Sequence, residues 1–311
     1  MEQLGFEGMP ERLYSCTPSR LNTWLDCPRR YRMTYLDRPM PPKGPPWAHN
    51  SVGASVHNAL AAWWRLPEPE RTPAAAGTLL VRGWITEGFR DAAQSAAHRD
   101  RARDMTERYV AGLDPSDEPV GVERTVATRT ARIAVSGRID RLDRRGGELV
   151  VVDYKTGRRP LTPDDARGSL ALAIYAVAAS RVLRRPCRRV ELHHLPSGEV
   201  AAWDHTGASL DRHLGRAEDI AAEASAADDS YRERVPKPRR GDSGPPRRGD
   251  AGPPRRGDAA RSGPVDHAPF DERFPARPGP LCAWCDFARH CPEGRAAAPR
   301  KEPWSALPVE A

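Results

Sequence analysis

The sequence predicts an α/β fold, a strand-rich centre held between helices, and three observations carry that prediction. Apolar residues recur at helical spacing from Thr17 to Leu113, alternate with period two from Val120, and return to helical spacing at Arg167. The order is helices, strands, helix, strands, helix, which favours a sandwich over a doubly wound sheet. At 311 residues the chain is long enough for one large or two modest domains with a true core.

Thr17 followed by Pro18 is a helix start, and Leu21, Trp24 and Leu25 continue it at helical spacing. Cys27-Pro28 breaks that helix, and Tyr31 and Tyr35 lie one turn apart on a second. After a proline-rich loop (PMPPKGPPW), Ser51 is read as the cap of a third helix with Val52, Val56, Leu60 and Trp64 as its apolar stripe and His57 just beside it. Residues 73–113 read as further, alanine-rich helix. Arg144-Arg145-Gly146-Gly147 is a hairpin turn, so Ile139–Leu142 and Leu149–Tyr154 are expected to pair antiparallel, bringing Asp140 towards Asp153. Arg167–Leu183 reads as one apolar helix, Arg188–His194 with Glu199–Asp204 as an edge hairpin, and residues near 208–227 as another helix.

From 236 to 264 an octamer repeats (RRGDSGPP, RRGDAGPP, RRGDAA) that can bury no core and reads as a solvated linker. The expected organisation is a domain over 1–235, the linker over 236–264, and a cysteine-rich segment over 265–311 packing back on the domain.

The 49 basic against 42 acidic residues give a formal charge of +7, a mild pointer to a polyanionic partner. Only Lys43, Lys155, Lys237 and Lys301 are lysine, and every other basic residue is arginine. Lys155 is therefore a position where a compact ammonium is retained against the trend. Six unevenly placed cysteines exclude a secreted disulfide scaffold, and no apolar run approaches a membrane span or a signal h-region, so a cytoplasmic location with no membrane partner is expected.

The candidate chemistry lies in VSGRIDRLDRRGGELVVVDYKTG, residues 135–157. In a strand, Asp153 and Lys155 point to the same face. Such a pair inside an apolar run is costly unless it meets an ion. Asp140 and Asp153 on adjacent strands repel unless a divalent cation lies between them, and hard oxygen ligands suit Mg²⁺ or Mn²⁺. Lys155 beside that ion can orient a water or neutralise a phosphoryl oxygen. Taken singly, Asp140 also reads as a partner of Arg138 and Arg141, Lys155 as a solvated strand end, His57 as a helix-surface histidine, Glu123 as a surface acid and Tyr175 as core.

Gly137-x-x-Asp140 followed by Asp153-Tyr154-Lys155-Thr156-Gly157 resembles the motif of PD-(D/E)xK nucleases, in the form seen in RecB-type exonucleases. The resemblance extends to Ser19-Arg20-Leu21, to Cys27-Pro28-Arg29-Arg30-Tyr31 and to Gly53-x-x-Val56-His57. It implies a restriction-endonuclease-like core with a central mixed sheet flanked by helices. By the same resemblance the metal ligands are His57, Asp140, Asp153 and the Tyr154 carbonyl, and the catalytic residues are Asp140, Asp153, Lys155 and Tyr175. One departure stands out: the helix after the lysine keeps Tyr175 but has Ala171 where the family carries glutamine.

In LCAWCDFARHCPEG, Cys282, Cys285 and Cys291 supply three thiols that one loop can turn to a single centre, and Cys27 is the candidate fourth. The pattern resembles the AddB nuclease domain and its CRISPR-associated relatives, which implies a [4Fe-4S] cluster stapling the N-terminal helices to the C-terminal tail. Zinc in the same thiolates is the alternative.

The resemblance implies a Mg²⁺- or Mn²⁺-dependent deoxyribonuclease, an exonuclease by type, acting on single-stranded or end-containing DNA in repair or recombination. The alternative is a non-cleaving iron-sulfur or zinc DNA-binding subunit of a helicase-nuclease complex. No Walker A pattern occurs in the chain, so any unwinding would belong to a helicase partner.

Overall fold

The computed structural model describes residues 13–234 and 272–307. The repeat at 236–264, with its expected linker role, lies outside the described residues. Helices α1 (Pro18–Asp26) and α2 (Pro28–Tyr35) meet at Cys27, whose extended backbone ends one helix and starts the next. Thr17 caps α1 by accepting the Arg20 N–H, as its position before Pro18 predicts. Helix α3 (Ala48–Trp63) starts a turn before the expected cap. Ser51 lies inside it, buried, and donates to the Glu87 carbonyl, so its hydroxyl ties α3 to the following loop instead.

Helices α4 (Pro73–Arg82) and α5 (Ala92–Ala111) complete the layer on one face of the sheet. Val56, Leu60, Trp63, Trp64, Leu80 and Met105 pack there on Val150, Val152 and Tyr154. The expected single helix at 167–183 is two, α6 (Pro163–Gly168) and α7 (Leu170–Leu183). Ser169 makes the break, taking an extended backbone and capping α7 through the Leu172 N–H. Leu172, Ala176 and Ala179 of α7 cover the other face, over Leu149, Val151, Val190 and Leu192. Helix α8 spans Gly207–Arg234, longer than expected, and joins α1 and α2 in a third core around Tyr31 and Phe274.

The sheet has six strands and is mixed. Strand β1 (Tyr14–Cys16) runs parallel to β3 (Ile133–Arg145), whereas β2 (Gly121–Arg129) and β4 (Glu148–Lys155) run antiparallel to it. Gly146 and Gly147 turn the β3–β4 hairpin with φ of 56° and 89°, the left-handed conformations that glycine adopts without penalty. Strand β5 (Cys187–His194) continues the sheet parallel to β4, and β6 (Glu199–Asp204) closes it as an antiparallel edge.

The ladders of β3 set up the site. Ala134 and Val135 pair with both β1 and β2, and Arg141 and Leu142 with both β2 and β4. Strands β1 and β4 therefore share one edge of β3. Between their ladders, residues 136–140 have no strand partner on that edge among the described residues.

The C-terminal segment folds back on the N-terminal helices. Its last helix, α9 (Pro292–Ala297), brings Glu293 to 2.6 Å from Arg29. Trp284 packs edge-on against Trp47, and the Trp47 indole donates to Asp286.

Candidate active site

The site forms where β4 leaves β3. Their ladder ends at Arg141–Val152, and beyond it the Tyr154 N–H is accepted by the Asp140 carboxylate, Oδ2, at 2.9 Å. The hairpin thus brings Asp140 beside Asp153 as the pairing rule anticipates, with a side chain in place of the next strand bond. His57, from α3, points its Nδ1 at the same Asp140 oxygen at 3.3 Å and its Nε2 at the Tyr154 carbonyl at 3.1 Å. Gly53, one turn earlier on α3, faces the Thr156 hydroxyl, which a Cβ there would meet at 3.4 Å. The small residue lets the helix lie close to the end of β4.

Lys155 Nζ stands 2.5 Å from Asp153 Oδ2. The same-face rule for a strand therefore holds for this pair. The ammonium is 45% exposed while the carboxylate is 21% exposed, so the pair presents its cation outward.

On the opposite edge of β3, Glu123 occupies the step between the pairs Val122–Arg141 and Arg124–Ile139, which sets it across from Asp140. Its φ of 51° is left-handed, a conformation that costs a glutamate roughly 1–2 kcal/mol and that the surrounding ladder imposes. Glu123 is only 16% exposed and pairs with Arg138 at 2.7 Å. One donor atom each from His57, Glu123 and Asp140 lies within 4.8 Å of the other two.

The carboxyl groups of the cluster are raised by burial and by one another. Burial pushes the Asp153 carboxyl up and Asp140 adds to it, outweighing the Lys155 ammonium. Glu123 is likewise raised by burial, with Arg138 opposing and Asp140 reinforcing the rise. Burial pulls the His57 imidazole down, yet the hydrogen bond and charge of Asp140 hold it above its ordinary value. His57, Glu123 and Asp140 bring together one imidazole and two carboxylates that could hold a divalent cation, whereas Asp153 turns to Lys155 and is not part of that group.

Tyr175, on α7, reaches the same region from the other face of the sheet. Burial and the charges of Asp153 and Asp140 push its phenol up to about 12, against the pull of the Arg138 backbone amide. It fits because Gly137 has no side chain: a Cβ there would lie 2.3 Å from the Tyr175 ring. Ala171 lies one turn earlier on the same helix.

Cys27, Cys282, Cys285 and Cys291 line one small cavity, of about 40 Å³, with Met33, Leu281 and Phe287. A zinc ion with bonds of about 2.3 Å would hold tetrahedral thiolates roughly 3.8 Å apart. Among the described residues, no three of these sulfurs lie within 4.8 Å of one another. The thiols surround a space rather than closing on a point, and donors face it: the Gly294 N–H lies 3.4 Å from Cys291 Sγ, and Arg29 Nη1 lies 3.9 Å from it. Gly294 also marks a close approach, since a Cβ there would come to 3.3–3.4 Å of Cys291 and Cys282.

All the candidate residues therefore fall into two clusters, one around Asp140 and one around Cys27. Sequence reasoning undervalued Glu123, which it placed on the surface. Extending the antiparallel register of β2 against β3 finds it, but that register depends on a long-range pairing that no local pattern gives away. No helix among the described residues is long and apolar enough to cross a membrane.

Residues 15–292 match the family described as the PD-(D/E)XK nuclease superfamily. Among solved structures, a "putative exonuclease" from Eubacterium rectale aligns at 10% identity and a TM-score of 0.44, covering 74% of this chain and 88% of that one. SSO0001 aligns at 14% identity and a TM-score of 0.30, covering 68% and 78%. No curated protein matches the chain.

Proposed function

Because the chain belongs to the PD-(D/E)XK nuclease superfamily, we propose that it is a metal-dependent deoxyribonuclease of RecB exonuclease type, working in DNA repair or recombination. The observation that carries the reading is the Asp153–Lys155 pair set beside His57, Glu123 and Asp140. In this reading His57, Asp140, Asp153 and the Tyr154 carbonyl hold Mg²⁺ or Mn²⁺, and Glu123 joins them. A bound divalent ion supplies Lewis-acid polarisation of a phosphoryl oxygen and makes a water more acidic.

The chain's own residues do the rest. Lys155 holds the attacking water by its ammonium and balances charge that grows on the phosphoryl oxygens. Asp153 keeps that ammonium in place through their contact. His57 fixes Asp140 and the Tyr154 carbonyl relative to α3. Tyr175 fills the space beneath Gly137 and supports the strand that carries Asp140.

The four thiols hold a [4Fe-4S] cluster in this reading, with the spacing of the sulfurs as support over zinc. Its role is structural, joining α1 and α2 to the C-terminal segment, so that 265–311 serves the 1–235 domain across the 236–264 linker. The substrate is DNA, single-stranded or end-containing, and ATP-driven unwinding falls to a helicase partner.

The test is cleavage of end-labelled single- and double-stranded DNA by anaerobically purified protein with Mg²⁺ or Mn²⁺, alongside Lys155→Ala and Asp153→Ala, with iron and labile sulfide assayed on the same sample. Degradation by the wild type alone supports the reading. Iron-loaded protein that binds DNA and never cuts it would support the rival, a non-cleaving subunit of a helicase-nuclease complex, for which Ala171 is the feature in favour.

A further inference from the structure

Towards the end of the sheet away from Lys155, a recess of about 510 Å³ lies between α6, the end of β6 and the first turns of α8. That volume is in the range of small-molecule clefts, about 300–1,000 Å³. Trp203 on its wall pairs with Val190, which pairs with Val151, and Val151 precedes Lys155 along β4. At about 3.3 Å per residue along the strand and about 4.8 Å per strand across it, that register sets the recess roughly 16 Å from Lys155.

Ser209, Arg212 and Arg216 share one face of α8 at i, i+3 and i+7, and Arg167 of α6 stands with them around the recess. Arg212 and Arg216 are exposed and pair with no carboxylate among the described residues. They are one turn apart, about 6 Å along the helix, close enough for both to reach one phosphate. Beside them His213 donates through Nε2 to the Arg167 carbonyl at 3.0 Å, which ties α8 to α6. Burial pushes the His213 imidazole down, and Arg216 and Arg212 press it the same way against the pull of the Arg167 carbonyl. The imidazole is therefore neutral at pH 7, and the positive charge of the recess belongs to its guanidinium groups.

The rest of the lining offers a plane and an acceptor. The Arg167 guanidinium lies over the Trp203 ring at 5.4 Å, a stacked pair of the kind on which a base can lie. Asp204 is the one carboxylate that lines the recess among the described residues. Its Oδ2 accepts from Arg189 at 2.8 Å, which leaves Oδ1 to accept from a hydroxyl.

We propose that this recess is a second site, separate from the metal cluster, that binds a nucleoside 5′-phosphate: the phosphate on Arg212 and Arg216, the base on the Arg167–Trp203 stack and the ribose hydroxyls on Asp204. A carboxylate set among cations favours a monomer, whose sugar hydroxyls are free to donate, over a polymer, whose 3′ oxygens are esterified and whose further phosphates it repels. The proposal does not draw on the nuclease reading.

The experiment is isothermal titration of the full chain, in EDTA, with adenosine 5′-monophosphate, adenosine and inorganic phosphate. The monophosphate is expected to bind at least about tenfold more tightly than either fragment, because it alone engages both ends of the recess. Arg212→Ala and Arg216→Ala should each weaken it at least about tenfold, the loss of a charge-assisted hydrogen bond. Asp204→Asn should weaken the monophosphate and not inorganic phosphate. Arg232→Ala, on the same helix but paired with Asp229 at 2.7 Å, and Lys155→Ala should both bind as the wild type does.

Equal affinity for the monophosphate and adenosine would overturn the proposal. So would binding lost in Lys155→Ala and kept in Arg212→Ala, which would put the nucleotide at the metal cluster. Inorganic phosphate held as tightly as the monophosphate would refute the nucleoside assignment. EDTA keeps cleavage out of every arm, so these outcomes are the same for a protein that never cuts DNA, and failure here leaves the nuclease reading standing.

Discussion

Substituting Gly137 by alanine tests the support beneath Asp140 most directly. The added Cβ would lie 2.3 Å from Tyr175 Cε1 and 3.0 Å from both Cζ and the hydroxyl. Carbon atoms rest at about 3.5–4.0 Å, so the ring or β3 must move by more than 1 Å. The ring has little room, because α7 is packed on that face through Leu172, Ala176 and Ala179. Overpacking of this kind costs about 1–3 kcal/mol. For a chain of this size that is a fall in melting temperature of roughly 2–4 °C per kcal/mol. The assay is a thermal melt of Gly137→Ala, Tyr175→Ala and the double variant. With the ring gone the new methyl has space, so Gly137→Ala should cost less than about 0.5 kcal/mol in the Tyr175→Ala background, giving a coupling of at least about 0.5 kcal/mol. Cleavage by Gly137→Ala should fall with it, since Asp140 lies on the displaced strand. A Gly137→Ala protein that melts with the wild type in both backgrounds would refute the packing argument.

Three further outcomes are expected. If the proposed function holds, Lys155→Ala and Asp153→Asn should each lower kcat by at least about 10²-fold while circular dichroism stays native, the first by removing the ammonium at the phosphate and the second by removing a metal ligand and the partner that holds that ammonium. Glu123→Gln should raise the Mn²⁺ concentration for half-maximal cleavage at least about tenfold, read by metal titration; an unchanged requirement would return Glu123 to a purely structural role with Arg138. In the middle of β5, burial pushes Glu191 up, but His193, Arg145 and Arg189 together hold its carboxyl well below the ordinary range. A depressed folded value means stability that is complete above the unfolded value, about 4.3, and is lost as the pH falls below it. Melting temperature should therefore drop between about pH 4 and pH 2, and Glu191→Gln should flatten that limb while lowering the melting temperature at pH 7, because the half-exposed Arg145 and Arg189 lose their shared carboxylate.

The elements that local chemistry dictates were the legible ones. The Gly146-Gly147 turn, the Thr17-Pro18 start and the Asp153–Lys155 neighbourhood all follow from rules that span a few residues. The helix near 167–183 was misread because Gly168-Ser169 gives only a weak break in a continuous apolar run, and the Ser169 hydroxyl decides it. Ser51 carried a cap signature that a tertiary bond to Glu87 overrode. Glu123 was hidden for a different reason: its meaning depends on which strand faces it, and that is settled by contacts far away in sequence.

The broken edge of β3 carries a consequence for how the molecule assembles. Strand β1 enters the sheet through Tyr14 to Cys16, paired to Ile133–Val135, whereas the β3–β4 hairpin closes over a two-residue turn. Closing a long loop loses more chain entropy than closing a hairpin, so the hairpin is expected to form early and β1 to dock late. The opening that holds Asp140 would then have one jamb before the other, and a folding chain would own its carboxylates before it had a bounded site. Pulsed amide exchange during refolding reads this order: protection at Val151 and Val152 should precede protection at Tyr14–Cys16, and simultaneous protection would contradict it.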